Sequence, residues 1–426
     1  MTKNKKVVIT GMGVVSPIGI GITEFWDALV QRKSGVRLRE GFEERDWPLK
    51  LYAPIVGFDG KQWVKPRKSM KVMCLPIQFG YTAATMALEQ SGLAEFEMDP
   101  NRMGTVFGSE TFFADPLEVA DVFRKCVQKQ NYEHDRWGEF AMRNIQPLWM
   151  LKYLPNMVTS HISIAADARG PSNSICQGDV SSLLALIEGV DLIRRGSCDV
   201  VIVGGTGCQT SLSGTLYRGQ EEMSRRVDDP ENAVRPFDAD RDGRVYGEGA
   251  GAMIIESEDF ARARDAEILG NVDSYSRAFC PQIASGDDSD AVSDSIAATI
   301  QTAMERSNSK SKDFSHINSH GCSEIQSDIH EAKALRQCFS DVPVVAYKSN
   351  LGHLGPGSPI IELIGSILSA KQGKVIPGRN YDHADPNCPI NVAQEVADFD
   401  ANQSKILKLA YAQTGQIASV VISCDS

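Results

Sequence analysis

The feature that most constrains the fold is a coupled pattern: apolar residues at helical spacing, followed at once by a β-branched run that ends in glycine. Leu183, Leu186, Ile187, Val190 and Ile193 form the first part, and the run Asp199–Gly205 forms the second. The spacing predicts a helix, and a short β-branched run bounded by glycine predicts a buried strand. Val7–Thr10 and Ala252–Glu256 read as further strands of this kind. Strand, helix and strand in that order argue for an α/β chain with a mostly parallel sheet. After about residue 258 the pattern restarts: Val342–Tyr347 reads as a strand, Ile360–Leu368 as a helix, and Lys405–Tyr411 and Ala418–Ser423 as closing strands. The expected division is into two α/β halves, 1–257 and 258–426, in keeping with a prior of about 150 residues per domain.

Residues 113–150 break the pattern, with Phe113, Trp137, Phe140, Trp149 and Met150 set among many charges. Such an insertion covers a surface, a partner or a pocket, or packs as a helical excursion on its own half. Lys and Arg number 44 against 55 Asp and Glu, a formal charge of -11. That balance argues against a broad nucleic-acid surface, which needs a dense basic footprint. No apolar stretch reaches the ~18 residues of a membrane-spanning helix. The opening Met1–Lys6 followed by Val7–Thr10 superficially copies an export signal. Gly11, Gly13 and Pro17 interrupt the apolar run and no small-residue cleavage site follows, so it reads as a first strand. The cysteines show no C-x-x-C pair and no His/Cys cluster at metal spacing. The expectation is a cytoplasmic protein with reduced thiols and no metal.

Two short motifs fail on inspection. Gly11-Met12-Gly13 after a strand begins like a dinucleotide fingerprint, but the third glycine is Ser16 and Pro17 follows. A tight strand-to-loop turn accounts for the glycines. Asp238-Ala239-Asp240-Arg241-Asp242-Gly243 opens like a calcium loop. That loop requires a bidentate Glu at its twelfth position, where this chain has Gly249, with Glu248 one residue early.

The longer run Arg235-Pro236-Phe237-Asp238-Ala239-Asp240-Arg241-Asp242-Gly243-Arg244-Val245-Tyr246-Gly247-Glu248-Gly249-Ala250-Gly251 is far more specific. It closely resembles the R-P-F-D-x-x-R-D-G-x-x-x-G-E-G-A-G signature of β-ketoacyl-acyl-carrier-protein synthases, the elongating condensing enzymes of fatty-acid and polyketide synthesis. Val8–Pro17, Asn156-Met157 and Gly170-Pro171-Ser172 resemble the same family, and the resemblance runs from residue 7 to about 423. It implies an α/β thiolase-type fold, two similar halves in a five-layer αβαβα sandwich, working as a homodimer or heterodimer. It implies no cofactor. It also implies a nucleophilic Cys at a strand-to-helix elbow, two His that stabilise the enolate, and a Lys.

Part of that machinery carries over. His320-Gly321-Cys322-Ser323 matches the family's H-G-T-S, with Asp328 and Glu331 at the supporting offsets. His353 matches the second His, with Lys348 upstream in register. The nucleophile does not carry over. Counting forward from Gly170 and back from Gly196 both land on Asp179, and Cys176 falls three residues earlier, within the expected strand and pointing elsewhere. Asp179 should sit at the N-terminus of the Leu183–Ile193 helix, ionised by the helix dipole and the two imidazoles, and should in turn favour protonated His. Near the C-terminus Gln413 stands where the family has a gating aromatic, and only Gly415 remains of its glycine loop. Lys65, Arg67, Lys68 and Lys71 match a region that docks the acidic carrier protein in the family; a solvated helix face is the plain alternative.

The resemblance therefore implies a divergent 3-oxoacyl-carrier-protein synthase homologue that handles acyl or malonyl thioesters without ordinary condensation. Three readings stay open: a chain-length-factor-like partner of a Cys-containing synthase, a malonyl-carrier-protein decarboxylase, and a protein that only binds carrier protein or an acyl chain.

Overall fold

The computed structural model describes residues 5–42, 49–217, 223–286, 289–400 and 403–424. The first half runs β1 (Val7–Ser16), α1 (Leu75–Gln90), β2 (Met103–Gly108), α2 (Met157–Ala165), β3 (Ser172–Ile175), α3 (Ser181–Arg194), β4 (Val200–Cys208) and β5 (Glu248–Ser257). The second half repeats that order: β6 (Gly270–Phe279), α4 (Asp290–Arg306), β7 (Phe314–Asn318), α5 (Ile325–Cys338), β8 (Val344–Val345), α6 (Ser358–Lys371), β9 (Lys405–Tyr411) and β10 (Gln416–Ser423). Spatially the strands run β8-β7-β9-β10-β6-β1-β5-β4-β2-β3. Among the described residues, strand pairing across the seam between the halves is limited to Val8 with Asn271 and Ile9 with Gly270. Each half thus contributes five strands of this path in the same internal order, and the short strand Gly19–Ile20 pairs off the path with β1.

The core is divided into layers. Helix α3 is buried on almost every side, with Leu183, Leu186, Ile187, Val190 and Ile193 all inaccessible to solvent. An all-round apolar helix belongs between layers. Helix α6 lies beside it, and both pack into one cluster with Val201 and Val203 of one sheet and Ile406 and Val420 of the other. Outside them, α1 and α2 cover the first sheet through Ile77, Phe79 and Val158. Helices α4 and α5 cover the second through Ile296, Ile300 and Leu335. The result is the five-layer α/β arrangement. Each fully buried Val, Leu or Ile contributes about 1.5–3 kcal/mol relative to exposure.

Three local expectations change. The sheet is mixed rather than mostly parallel: β4-β2-β3 and β9-β7-β8 are parallel, but β1-β5-β4 and β6-β10-β9 are antiparallel. The chain reverses between β9 and β10 through a short turn, with no crossover helix, and a short turn joins only antiparallel neighbours. Gly11 and Gly13 lie within β1 instead of in a turn. A Cβ there would fall 2.2 and 2.0 Å from the carbonyl oxygens of Ala87 and Ala83, so they allow α1 to lie against the strand. The strand expected over Val342–Tyr347 shrinks to Val344–Val345, because Tyr347 leads into the helical turn Lys348–Leu351. Among the described residues no helix is long and apolar enough to cross a membrane.

Candidate active site

Asp179 lies in the turn between β3 and α3, two residues ahead of the helix. Gly178 takes φ +64, a conformation that favours glycine. The Ser181 hydroxyl closes the turn, donating to Gly178 O at 2.5 Å and accepting from Gln177 N at 2.8 Å. The helix can approach because Gly205 of β4 has no side chain: a Cβ there would lie 2.4 Å from Ser182 Cβ. Asp179 is buried at the helix N-terminus, where the peptide dipoles favour an anion.

His353 is held by the signature run. Its N–H donates to Val245 O at 2.7 Å, and Gly247 N–H donates to its carbonyl at 2.8 Å. Gly355 N–H donates to His353 Nδ1 at 3.4 Å, which leaves the imidazole proton on Nε2. That nitrogen faces Asp179 Oδ2 at 3.3 Å and Arg244 Nη1 at 3.5 Å. Burial alone would raise the Asp179 pKa, but His353, then Arg244 and Lys348, hold it well below the usual carboxylate range.

His320 follows β7. The Glu331 carboxylate accepts from the N–H groups of His320 and Gly321 at 2.6 and 2.8 Å. Asp328 accepts from Cys322 N–H at 2.9 Å and Phe237 N–H at 2.8 Å. Both acids sit on α5 three residues apart, on one helix face. Burial pushes Asp328 up to about 6 and Glu331 up to about 7. The signature arginines fix the same region: Arg241 pairs with Asp385 at 2.7 Å and donates to Ile325 O at 3.1 Å, and Arg235 pairs with Asp238 at 3.1 Å.

Lys348 does not point at an imidazole. Its Nζ donates to the His320 carbonyl at 2.6 Å and pairs with Glu362 at 2.8 Å. Glu362 also meets Lys408 at 2.5 Å, and Lys408 reaches Asn318 Oδ1 at 2.6 Å and Ser319 O at 2.9 Å. This buried Lys–Glu–Lys bridge ties α6 to the loop that carries His320. The His320 and His353 rings lie 6.1 Å apart, nearly perpendicular. Burial, then Lys348 and His353, push the His320 pKa well below its ordinary value. His320 is therefore an uncharged imidazole near neutrality, contrary to the expectation that Asp179 would favour protonated His.

Donor atoms of Asp179, His320 and His353 fall within 4.8 Å of one another, a spacing compatible with a divalent cation. The donor chemistry does not fit one. The His353 nitrogen that faces the cluster carries the proton, its lone pair is turned to Gly355, and Arg244 adds positive charge. Asp238, Asp240 and His383 also converge, but Asp238 already accepts from the Asp382 and His383 N–H groups and from Arg235, and Asp240 pairs with His383.

Asp179 opens onto a cavity of about 350 Å³ that Cys176, Arg244 and Gln413 also line. Cys176 was expected within the strand and pointing elsewhere; β3 instead stops at Ile175, and Cys176 begins the turn beside Asp179, exposed. Its thiol is pushed up by burial and by Glu110, away from the reactive thiolate. Gln413 belongs to the β9–β10 turn and is exposed. Phe113, at the start of the 113–150 segment, lines this cavity and a second one of about 340 Å³. Lys65, Arg67, Lys68 and Lys71 are all exposed, around the turn Arg67–Val72 that precedes α1.

Sequence reasoning missed Arg244 and its buried partner Glu324, because both occupy positions that the motifs leave variable. It missed Glu362 too, although a charge inside Ile360-Ile361-Glu362-Leu363-Ile364 is a visible anomaly.

Comparison with known proteins agrees with this architecture. The N-terminal domain profile of β-ketoacyl synthases matches residues 4–261, and the C-terminal domain profile matches residues 284–382. The 3-oxoacyl-[acyl-carrier-protein] synthase 2 of Vibrio cholerae is 28% identical over 399 residues, spanning 92% of each chain. The protein of the same name from Staphylococcus aureus strain COL is 28% identical over 430 residues, spanning 98% of this chain and 96% of its own. A β-ketoacyl synthase structure from Burkholderia phymatum superposes with a TM-score of 0.86 at 24% identity over 99% of both chains. The ishigamide ketosynthase/chain length factor gives 0.83 at 22% identity over the full length of both. With both domain profiles matched in order along most of its length, the chain belongs to the β-ketoacyl synthase family, of the thiolase superfamily.

Proposed function

We propose that this protein is a divergent 3-oxoacyl-carrier-protein synthase homologue of fatty-acid or polyketide-type biosynthesis, one that binds carrier-protein thioesters but stores no acyl group. The observation that carries the reading is the contact between Asp179 and His353 Nε2–H, 3.3 Å apart, with Asp179 held ionised. A carboxylate so strongly stabilised as the anion is a poor nucleophile and a poor base. An anhydride formed on it would give up the ion pair with its cationic neighbours and would be labile to water. The test is intact-mass analysis after incubation with acyl- and malonyl-carrier protein. We expect no adduct; a stable acyl group on Asp179 or Cys176 would overturn the reading.

The partner is an acyl-carrier protein, attracted to the exposed cations Lys65, Arg67, Lys68 and Lys71 on a chain that is otherwise acidic. A second subunit is also expected. Among the described residues strand β3 pairs only with β2, and Ser172 and Asn173 on it are exposed, an open edge of the kind that a further strand covers. A second copy gives a homodimer; a Cys-containing synthase gives the heterodimer of the chain-length-factor reading. Decarboxylation of malonyl-carrier protein is the competing chemistry, favoured by the retained pair of His320 and His353. Carbon dioxide release from malonyl-carrier protein by the isolated protein would select it, and release that requires a Cys-containing partner would select the heterodimer.

A further inference from the structure

Resting on the reading that the site binds an acyl thioester, we infer that Asp179 determines the specificity of its cavity. Uncharged acyl groups are admitted, and groups with a carboxylate next to the thioester, the malonyl group among them, are turned away. The charged residues that line the cavity are Glu110, Asp179 and Arg244. Arg244 does not balance the two acids, because its guanidinium is already paired with the buried Glu324. Lys348 does not line the cavity, and its ammonium is spent on the His320 carbonyl and on Glu362. Cys176 on the same wall reports the same environment: burial, then Glu110, push its thiol up. A wall that disfavours a thiolate disfavours an incoming carboxylate for the same two reasons, desolvation and like charge.

A charge acts across a cavity without touching its ligand. Asp179 carries that charge, since His353, then Arg244 and Lys348, hold it ionised against its burial. The Nε2–H of His353 is engaged as well, facing Asp179 Oδ2 at 3.3 Å, so a second carboxylate finds that donor taken. The malonyl carboxylate stands two bonds from the thioester carbonyl carbon and cannot stay outside a cavity that the carbonyl enters. Taken as a sphere, 350 Å³ is about 9 Å across, comparable with the ~8 Å over which physiological salt screens a charge. Asp179 therefore acts on a carboxylate wherever in the cavity it sits. At about 6 Å and an effective dielectric constant near 20, two like charges repel enough to weaken binding roughly a hundred-fold. Arg244 returns part of that factor. An uncharged group of the same size meets no such repulsion. A site so charged does not serve decarboxylation, whose substrate is the malonyl thioester.

The test uses amide-linked, non-hydrolysable pantetheine analogues bearing butyryl, malonyl and malonyl half-amide groups, titrated calorimetrically into the full chain. The half-amide has the shape of malonyl with the carboxylate replaced by a neutral carboxamide, so the pair isolates charge. In the unmodified protein we expect malonyl to bind about ten-fold or more weakly than the half-amide. In Asp179→Asn that gap should close to within about three-fold, the remainder being the desolvation of the carboxylate. Asp179→Ser carries the same expectation where Asp179→Asn does not fold, and the comparison in the unmodified protein stands without either. Malonyl binding as tight as the half-amide, or tighter, would overturn the inference while leaving acyl binding intact. A gap that persists unchanged in a folded Asp179 variant would overturn the assignment to Asp179. Failure of all three analogues to bind would overturn the acyl-binding reading itself.

Discussion

Replacing Glu362 by Gln should expose how the His320 loop is held. Glu362 is inaccessible to solvent and lies between two ammonium groups, Lys348 at 2.8 Å and Lys408 at 2.5 Å, themselves buried. An amide of the same shape keeps an acceptor for one lysine but removes the carboxylate that meets both. Removing one partner from a buried ion pair costs about 3–5 kcal/mol, because the opposite charge stays buried without compensation. We therefore expect Glu362→Gln to lose about that much in urea unfolding at pH 7. The pH dependence gives a second reading. Burial, with Lys348 against Glu362, brings Lys408 down to about 8 in the folded protein, against about 10.4 in an unfolded chain. Between those values the unfolded state binds more protons, so this group makes stability rise with pH. In Glu362→Gln the lysine can shed its proton more readily still, so the loss should be smaller at pH 9 than at pH 7. Lys408→Met added to Glu362→Gln should recover part of the loss, with a coupling of at least about 1 kcal/mol. A loss below about 1 kcal/mol at pH 7, or one that grows at pH 9, would refute the assignment of the bridge as a charged structural tie.

Further outcomes bear on the site and its partner. Charge reversal at Arg67 and Lys68 should weaken carrier-protein binding most at low salt, where exposed charges act furthest; unchanged affinity by calorimetry would return the cluster to a solvated face. Asp179→Cys should become acylated by an acyl-carrier thioester in intact-mass analysis, since the helix N-terminus and His353 that lower a thiol pKa are in place, whereas the unmodified protein should not. Glu331 is raised to about 7 by burial, above the unfolded ~4.3, so the folded state holds the extra proton and stability should fall as pH rises through that window. Glu331→Gln should flatten that segment of the unfolding curve, and an unchanged slope would assign the proton elsewhere.

Much of this site is legible in the chain because its supports are local. Asp328 and Glu331 stand at fixed offsets from His320 on one helix face, and their bonds to the amides of residues 320–322 follow from that spacing. The signature run announces itself by composition, and the structure gives the reason: Arg241 reaches the α5 loop and Val245 reaches His353. Other features depend on distant chain and leave no local mark. Arg244 faces Glu324 from a variable position. Gly11 and Gly13 matter only because α1 crosses β1. The antiparallel course of β9 and β10 depends on a tight turn at 412–415 that a run of apolar residues does not disclose. Cys176 was misplaced because the strand ends where the turn through Gly178 begins, a boundary that composition does not fix.

The electrostatics of the site bear on what a carboxylate changes at position 179. An anion at a helix N-terminus, facing the Nε2–H of His353 and flanked by Arg244, is the charge state a thiolate would supply there. On the proposed reading, a carboxylate at position 179 keeps the charge of a thiolate and carries it one bond farther from the backbone, while the Lys348 contact with the His320 carbonyl and the bonds of the two α5 acids do not involve position 179 and persist. On that same reading, what goes is the polarisable nucleophile. His320, uncharged because burial and Lys348 disfavour its cation, remains a neutral imidazole beside that anion. On the proposed reading, a thioester entering the cavity would thus meet an intact electrostatic frame without a group that attacks it.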